Sequence, residues 1–113
     1  MSYIDRYTWL TGNKMDHKHE LILQILNMEG LSGRADTVYT QRKVLIYMAM
    51  RLRDYSWPED AERISVINVT DASKAINVAA RTVRNALARL QKDGHIERTA
   101  YQYGLKRRYT ITI

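Results

Sequence analysis

Between Arg81 and Lys92 the chain places Arg81, Thr82, Arg84, Asn85, Arg89 and Lys92, with no acidic residue among them. These side-chain types share one chemistry. Arg can bridge the two acceptors on the major-groove edge of guanine, Asn can pair with the acceptor and donor of adenine, and Thr can bond to either. Arg and Lys can also neutralise phosphate. With Val83 set at zero and a helical step of about 100° per residue, Ala79, Ala86, Leu87 and Leu90 fall within about 60° of it. Arg81, Asn85, Ala88 and Lys92 then lie opposite, Arg84 and Arg89 flank them, and Thr82 sits on the edge near the start. A helix lying in a groove reaches base edges best near its N-terminus. Arg81, Thr82 and Asn85 are therefore assigned to bases, with Arg84 at the boundary of that group. Arg89 and Lys92, together with Lys74 upstream, are assigned to the backbone.

A second basic element, Lys106-Arg107-Arg108, follows Gly104-Leu105, with Tyr101 and Tyr103 beside the turn. Such a tip can lie along a sugar-phosphate backbone or enter a minor groove, and Tyr103 can pack on a sugar. A basic helix face or a basic turn taken alone is more often plain solvated surface. The charge distribution argues for more than that here. The chain of 113 residues carries a net charge of +6. Residues 1–71 hold nine Lys/Arg against ten Asp/Glu, and residues 72–113 hold nine against two, a local net of +7. A field of one sign confined to one part of a chain is the footprint expected of a polyanion-binding face.

The elements that would hold these groups are legible in outline. Asp16 is placed to cap a helix running to about Glu29, with Gly30 ending it and Leu21, Ile22, Ile25 and Leu26 on one face. Leu31–Tyr39 reads as a loop, and Thr40 as the cap of a second helix through about Tyr55. Val44, Leu45, Met48, Leu52 and Tyr55 form its apolar stripe, with Arg42, Lys43, Arg51 and Arg53 outside it. Ser56-Trp57-Pro58 stops that helix, because the residue before a proline is pushed from the α region. Ile64 to Val69 reads as a short strand. Thr70 and Asp71 open a short helix to Ile76, Asn77-Val78 is a turn, and a longer helix runs from about Ala79 to Asp93, ended by Gly94. His95–Tyr101 and Arg107–Ile113 read as a hairpin around a turn at residues 102–106, with Tyr109, Ile111 and Ile113 alternating against Arg108, Thr110 and Thr112.

The run from Ala75 through Arg81-Thr82-Val83, Leu87, Leu90 and Gly94-His95-Ile96 to Arg98 resembles the core of bacterial winged helix-turn-helix proteins, and the likeness extends over about residues 40–113. Thr40–Leu45 and Tyr55–Pro58 are similar to the winged-helix heads of phage and plasmid replication proteins, and also to MarR-like regulators. The resemblance implies a mainly α fold with a small β-hairpin wing and an extra N-terminal helix, and a duplex-DNA partner. One departure is Ala79, which stands where the pattern has a small polar helix cap. The chain divides at residue 39, with 1–39 as a packing or dimerising segment and 40–113 as the DNA-binding domain. Trp9 is either core or an anchor for a homodimer.

Other chemistries find little footing. The chain has no cysteine, which removes thiolate metal sites and thiol nucleophiles and suits a reducing compartment. His17 and His19 are two apart and diverge on a helix. Glu59, Asp60 and Glu62 beside Pro58 read as a solvated connector. There is no phosphate-cradling glycine loop and no nucleophile–base order. The expectation is a non-enzyme without cofactor or metal, with no signal peptide or membrane span, in the cytoplasm with the nucleoid. The expected task is sequence-specific binding of double-stranded DNA by a transcriptional regulator, in particular a repressor. The alternatives are an origin-binding head of a replication initiator, and a winged helix used for protein contact.

Overall fold

Residues 17–52, 63–103 and 106–113 are described by the computed structural model. They form, in order, α1 (His17–Asn27), α2 (Ala35–Met50), β1 (Ile64–Asn68), α3 (Val69–Ile76), α4 (Ala80–Lys92), β2 (Ile96–Tyr103) and β3 (Lys106–Ile111). Four helices and a three-stranded antiparallel sheet make this a mixed α/β arrangement, not a helical body with a separate hairpin. The expected apolar segment at residues 3–10, the Asp16 cap, the Tyr55–Pro58 stop and the Gly104-Leu105 turn lie outside the described residues.

Helix α1 buries Leu21 and Ile25, as its apolar period requires, but Leu26 is 51% exposed. Its C-terminal carbonyls are satisfied from a distance. The Arg42 guanidinium donates to the carbonyls of Ile25, Leu26 and Met28 at 2.5, 3.0 and 3.2 Å. This does for α1 what a local C-cap does elsewhere, and it ties α1 to α2. Leu21 and Ile25 share one core with residues of α2, α4 and the sheet.

Helix α2 begins five residues before the expected Thr40 and ends at Met50. Arg34 stands at its N-cap without a side-chain bond. The Thr40 hydroxyl donates back to the Asp36 carbonyl at 3.0 Å, so the residue expected to cap the helix bonds within it. The expected division of the chain at residue 39 therefore falls inside α2. Val44, Leu45, Met48 and Leu52 are buried as the stripe requires. Beyond the helix, Leu52 bridges Ser65, and the buried Ser65 hydroxyl donates to the Met48 carbonyl at 2.8 Å. These two contacts fix the end of α2 on β1.

Strand β3 lies in the middle of the sheet, between β1 and β2. Its pairing with β1 runs from Ile64–Thr110 to Asn68–Lys106. Alternation puts Arg107, Tyr109 and Ile111 on one face and Lys106, Arg108 and Thr110 on the other. Tyr109 and Ile111 are buried in the core with Ile96. Between β2 and β3 the register shifts: Arg98 faces Tyr109 but Gln102 faces Arg107. Four steps along β2 thus match two along β3. The Thr99 hydroxyl donates to the Arg108 carbonyl at 3.3 Å within this irregular stretch. Gln102 and Tyr103 lie in β2 and Lys106 in β3, so three of the residues expected in the turn belong to strands.

No described helix is long and apolar enough to cross a membrane.

Candidate nucleic-acid interface

Helix α4 is positioned at both ends by backbone geometry. Before it, Asn68 caps α3, its side-chain oxygen accepting the N–H groups of Thr70 and Asp71 at 2.8 and 3.2 Å. The cap is thus two residues upstream of Thr70, and the helix starts one residue earlier than the expected Thr70-Asp71 start. Helix α3 then stops at Asn77, which is left-handed at φ 57°, ψ 50°. Asn is among the few residues with a side chain that adopt this conformation readily. The Val78 N–H bonds to the Ser73 carbonyl at 3.0 Å and closes the turn. From α2, Lys43 Nζ donates to the Ile76 carbonyl at 3.3 Å and lies 4.9 Å from the centroid of the Tyr39 ring. Arg42 and Lys43, read from the sequence as lying outside the packed stripe, both hold neighbouring helix ends.

Ala79, extended at φ −64°, ψ 147°, occupies the N-cap of α4 with no side-chain bond. It is exposed, not buried as the helical wheel had it, while Ala80 is half-buried against the core. At the far end His95 N–H bonds to the Leu90 carbonyl at 2.9 Å, with Gly94 at φ 81°. This satisfies the terminal carbonyls in the manner of a glycine-ended helix.

The two faces of α4 separate as its period requires. Val83, Ala86, Leu87 and Leu90 are buried. Arg81, Arg84, Asn85, Ala88, Arg89 and Lys92 are exposed, and Thr82 is half-buried. With no acid in the helix, the charged groups of this face are all cations, and Ala88 leaves its middle low. Arg89 and Lys92 occupy the last turn, where the helix dipole favours a positive charge. Lys74 is exposed on α3.

One member of this set has a partner that its sequence position did not reveal. Arg89 Nη1 donates to the Ser32 hydroxyl at 3.3 Å, and that hydroxyl donates to Asp93 Oδ2 at 2.6 Å. The Ser32 carbonyl in turn accepts from the buried Gln41 amide at 2.7 Å. The loop between α1 and α2 is thereby clasped against the end of α4. Neither Ser32 nor Gln41 carries a local signal for this role, because both contacts depend on chain segments brought together only by folding.

The hairpin cations are divided. Lys106 is exposed, while Arg107 and Arg108 are half-buried. Arg107 shares its face with Tyr109, and its Nη1 donates to the Tyr109 hydroxyl at 3.5 Å. Tyr103 lies opposite Lys106 in β2, and its side chain is outside what is described. Lys106 also pairs with Asn68, the cap of α3. The basic end of the hairpin and the start of the α3–turn–α4 unit therefore lie at the same end of the sheet.

The chain matches no family model, no curated protein and no solved structure. The case for a function rests on the geometry of α3, α4 and the hairpin.

Proposed function

We propose that the chain is a winged helix-turn-helix module that binds double-stranded DNA sequence-specifically, with α4 entering the major groove and the β2–β3 hairpin acting as the wing. The observation that carries this reading is the exposed face of α4. It joins cations to an Asn and a Thr, carries no acid and is held at a fixed angle by the left-handed turn at Asn77. Solubility alone would account for the cations, but a face that joins them to an Asn and a Thr also offers partners for base edges. In a face meant for a polyanion, every carboxylate would oppose binding. The placement of Lys106 beside the capping residue of α3 supports the wing, since it sets a second cation near the same unit.

In this reading Arg81, Thr82 and Asn85 read bases, with Arg84 at the edge of that group. Lys74, Arg89, Lys92, Lys106, Arg107 and Arg108 hold the backbone, and Tyr103 packs on a sugar. Regulation of transcription, as a homodimeric repressor, is the role we assign to such binding.

The deciding experiment is binding to a random-sequence duplex at two salt concentrations, followed by selection of bound sites from random DNA. A DNA-binding face gives an affinity that falls steeply with salt and enriches one motif. No measurable binding at low salt would end the proposal. A palindromic motif supports a dimeric regulator, whereas directly repeated sites would move the assignment to an origin-binding head.

A further inference from the structure

Helix α2 and the end of α3 leave an open groove of about 730 Å³. Its apolar surface comes from Ile46, Tyr47 and Met50 on α2 and from Ala75 and Ile76 on α3. Met50 is 61% exposed, a large apolar side chain left in water at the mouth of a cavity. Lys43 and Arg51 complete the α2 side, and no carboxylate among the described residues lines the groove.

The chemistry of an occupant follows from these facts. Small-molecule sites run from about 300 to 1,000 Å³, with a mostly apolar lining and a few polar groups that orient the ligand, and this groove falls in that range. Lys43 uses one donor on the Ile76 carbonyl. The same ammonium lies over the Tyr39 ring, so Lys43 is already engaged and Arg51 is the cation left for a ligand. Arg51 is exposed, and its guanidinium suits a carboxylate. With no acid among the described residues beside Arg51, a neutral ligand is a poor choice, because covering a charge without pairing it is costly. A bare phosphate would leave the apolar walls in water. A helical peptide is also disfavoured. Lys43 to Arg51 spans only about 12 Å of helix, whereas a stable protein interface needs roughly 800 Å² from each partner.

We propose that this groove is a binding site for a small amphipathic monoanion. Its flat apolar body rests on Ile46, Met50 and Ile76, and its carboxylate meets Arg51, with Lys43 a second positive charge at the other end of the α2 side. Asn77 forms part of the same wall, so the ligand touches the left-handed turn that orients α4. The site does not depend on the DNA reading, and its test contains no DNA, so either proposal can fail alone.

The probe is 2-naphthoate, titrated to about 5 mM into the intact chain and followed by methyl chemical shifts. For a ligand of this size the dissociation constant falls on the order of 0.1–1 mM. The expected result is a saturable shift centred on Ile46, Met50 and Ile76. Arg51→Glu should weaken it by about fivefold or more, and the neutral 2-naphthamide should bind more weakly by a similar factor. Met50→Glu, at a second exposed position, should abolish saturation while leaving the remaining spectrum in place. The proposal is overturned if no saturable shift appears at these methyls, if the shifts centre elsewhere, or if Arg51→Glu and the amide bind as well as the native pair.

Discussion

The guanidinium of Arg89, in the last turn of α4, meets the hydroxyl of Ser32, on the loop joining α1 to α2, at 3.3 Å. The contact depends on Gly33. That residue has φ +113°, and a Cβ there would lie 3.0 Å from Arg89 Nη1 and 3.1 Å from Thr37 Cγ2. Gly33→Ala therefore imposes both a left-handed strain and a crowded contact. The expected cost is about 1–2 kcal/mol, most of it from the backbone, read as a lower urea midpoint. Arg89→Ala in the Gly33→Ala background should recover only a small part of the loss. Full recovery would mean that the side-chain clash, not the backbone, dominates.

Ala79 offers the opposite sign. It is exposed, extended and at the N-cap of α4, with no side-chain bond to the helix N–H groups. A serine there can accept from the second or third helical N–H. Ala79→Ser should stabilise by about 1 kcal/mol, a rise of roughly 4 °C in melting temperature for a chain of this size. An unchanged or lowered melting temperature would show that these N–H groups are already satisfied or that the serine rotamer is blocked.

The fate of the sequence expectations follows a physical division. Elements set by local periodicity emerged near their expected bounds: α4 with its buried Val83, Ala86, Leu87 and Leu90, the Asn77 turn, and β1. Where a distant partner decides, local reading failed. Thr40 was expected as a cap, but the helix continues upstream of it and its hydroxyl bonds to the Asp36 carbonyl. Arg42 and Lys43 looked like solvated charges, yet each satisfies carbonyls at the end of another helix. The register shift between Arg98 and Gln102 has no signature in residue type. The candidate site divides in the same way. The exposure of Arg81, Arg84 and Asn85 follows from the helical wheel, whereas the Ser32–Arg89–Asp93 cluster needed the fold.

Arg107 and Lys106 should behave differently even though the sequence groups them. Arg107 is half-buried and donates to the hydroxyl of the buried Tyr109, while Lys106 is exposed. Arg107→Ala should lower stability by about 1 kcal/mol, through the lost bond and the packing of its stem. Lys106→Ala should leave stability within about 0.5 kcal/mol, yet weaken binding to all duplex sequences alike and reduce the salt slope by about one. Thermal melts of both variants beside salt titrations of DNA binding separate the effects. A Lys106→Ala variant with an unaltered salt slope would remove the hairpin from the interface.

The sharpest discrimination belongs to Arg81 and Asn85. Both are exposed on α4, near the end that begins at the Asn77 turn, and among the described residues neither has a contact that stabilises the fold in the manner of Arg89 or Arg107. Their removal should therefore be nearly silent in a melt. If they read bases, Arg81→Ala and Asn85→Ala each cost about 1–3 kcal/mol on the selected site and far less on random duplex, narrowing the ratio between the two. If they only meet phosphate, both affinities fall together and the ratio stays fixed. Arg84→Ala, measured alongside, resolves the boundary residue: a loss confined to the selected site groups it with Arg81, and an equal loss on both duplexes groups it with Lys92. The ratio of affinities, not either affinity alone, is the decisive quantity, because the surrounding cations bind any duplex through the same counterion release. An unchanged ratio for both Arg81→Ala and Asn85→Ala would reduce α4 to a non-specific cationic face.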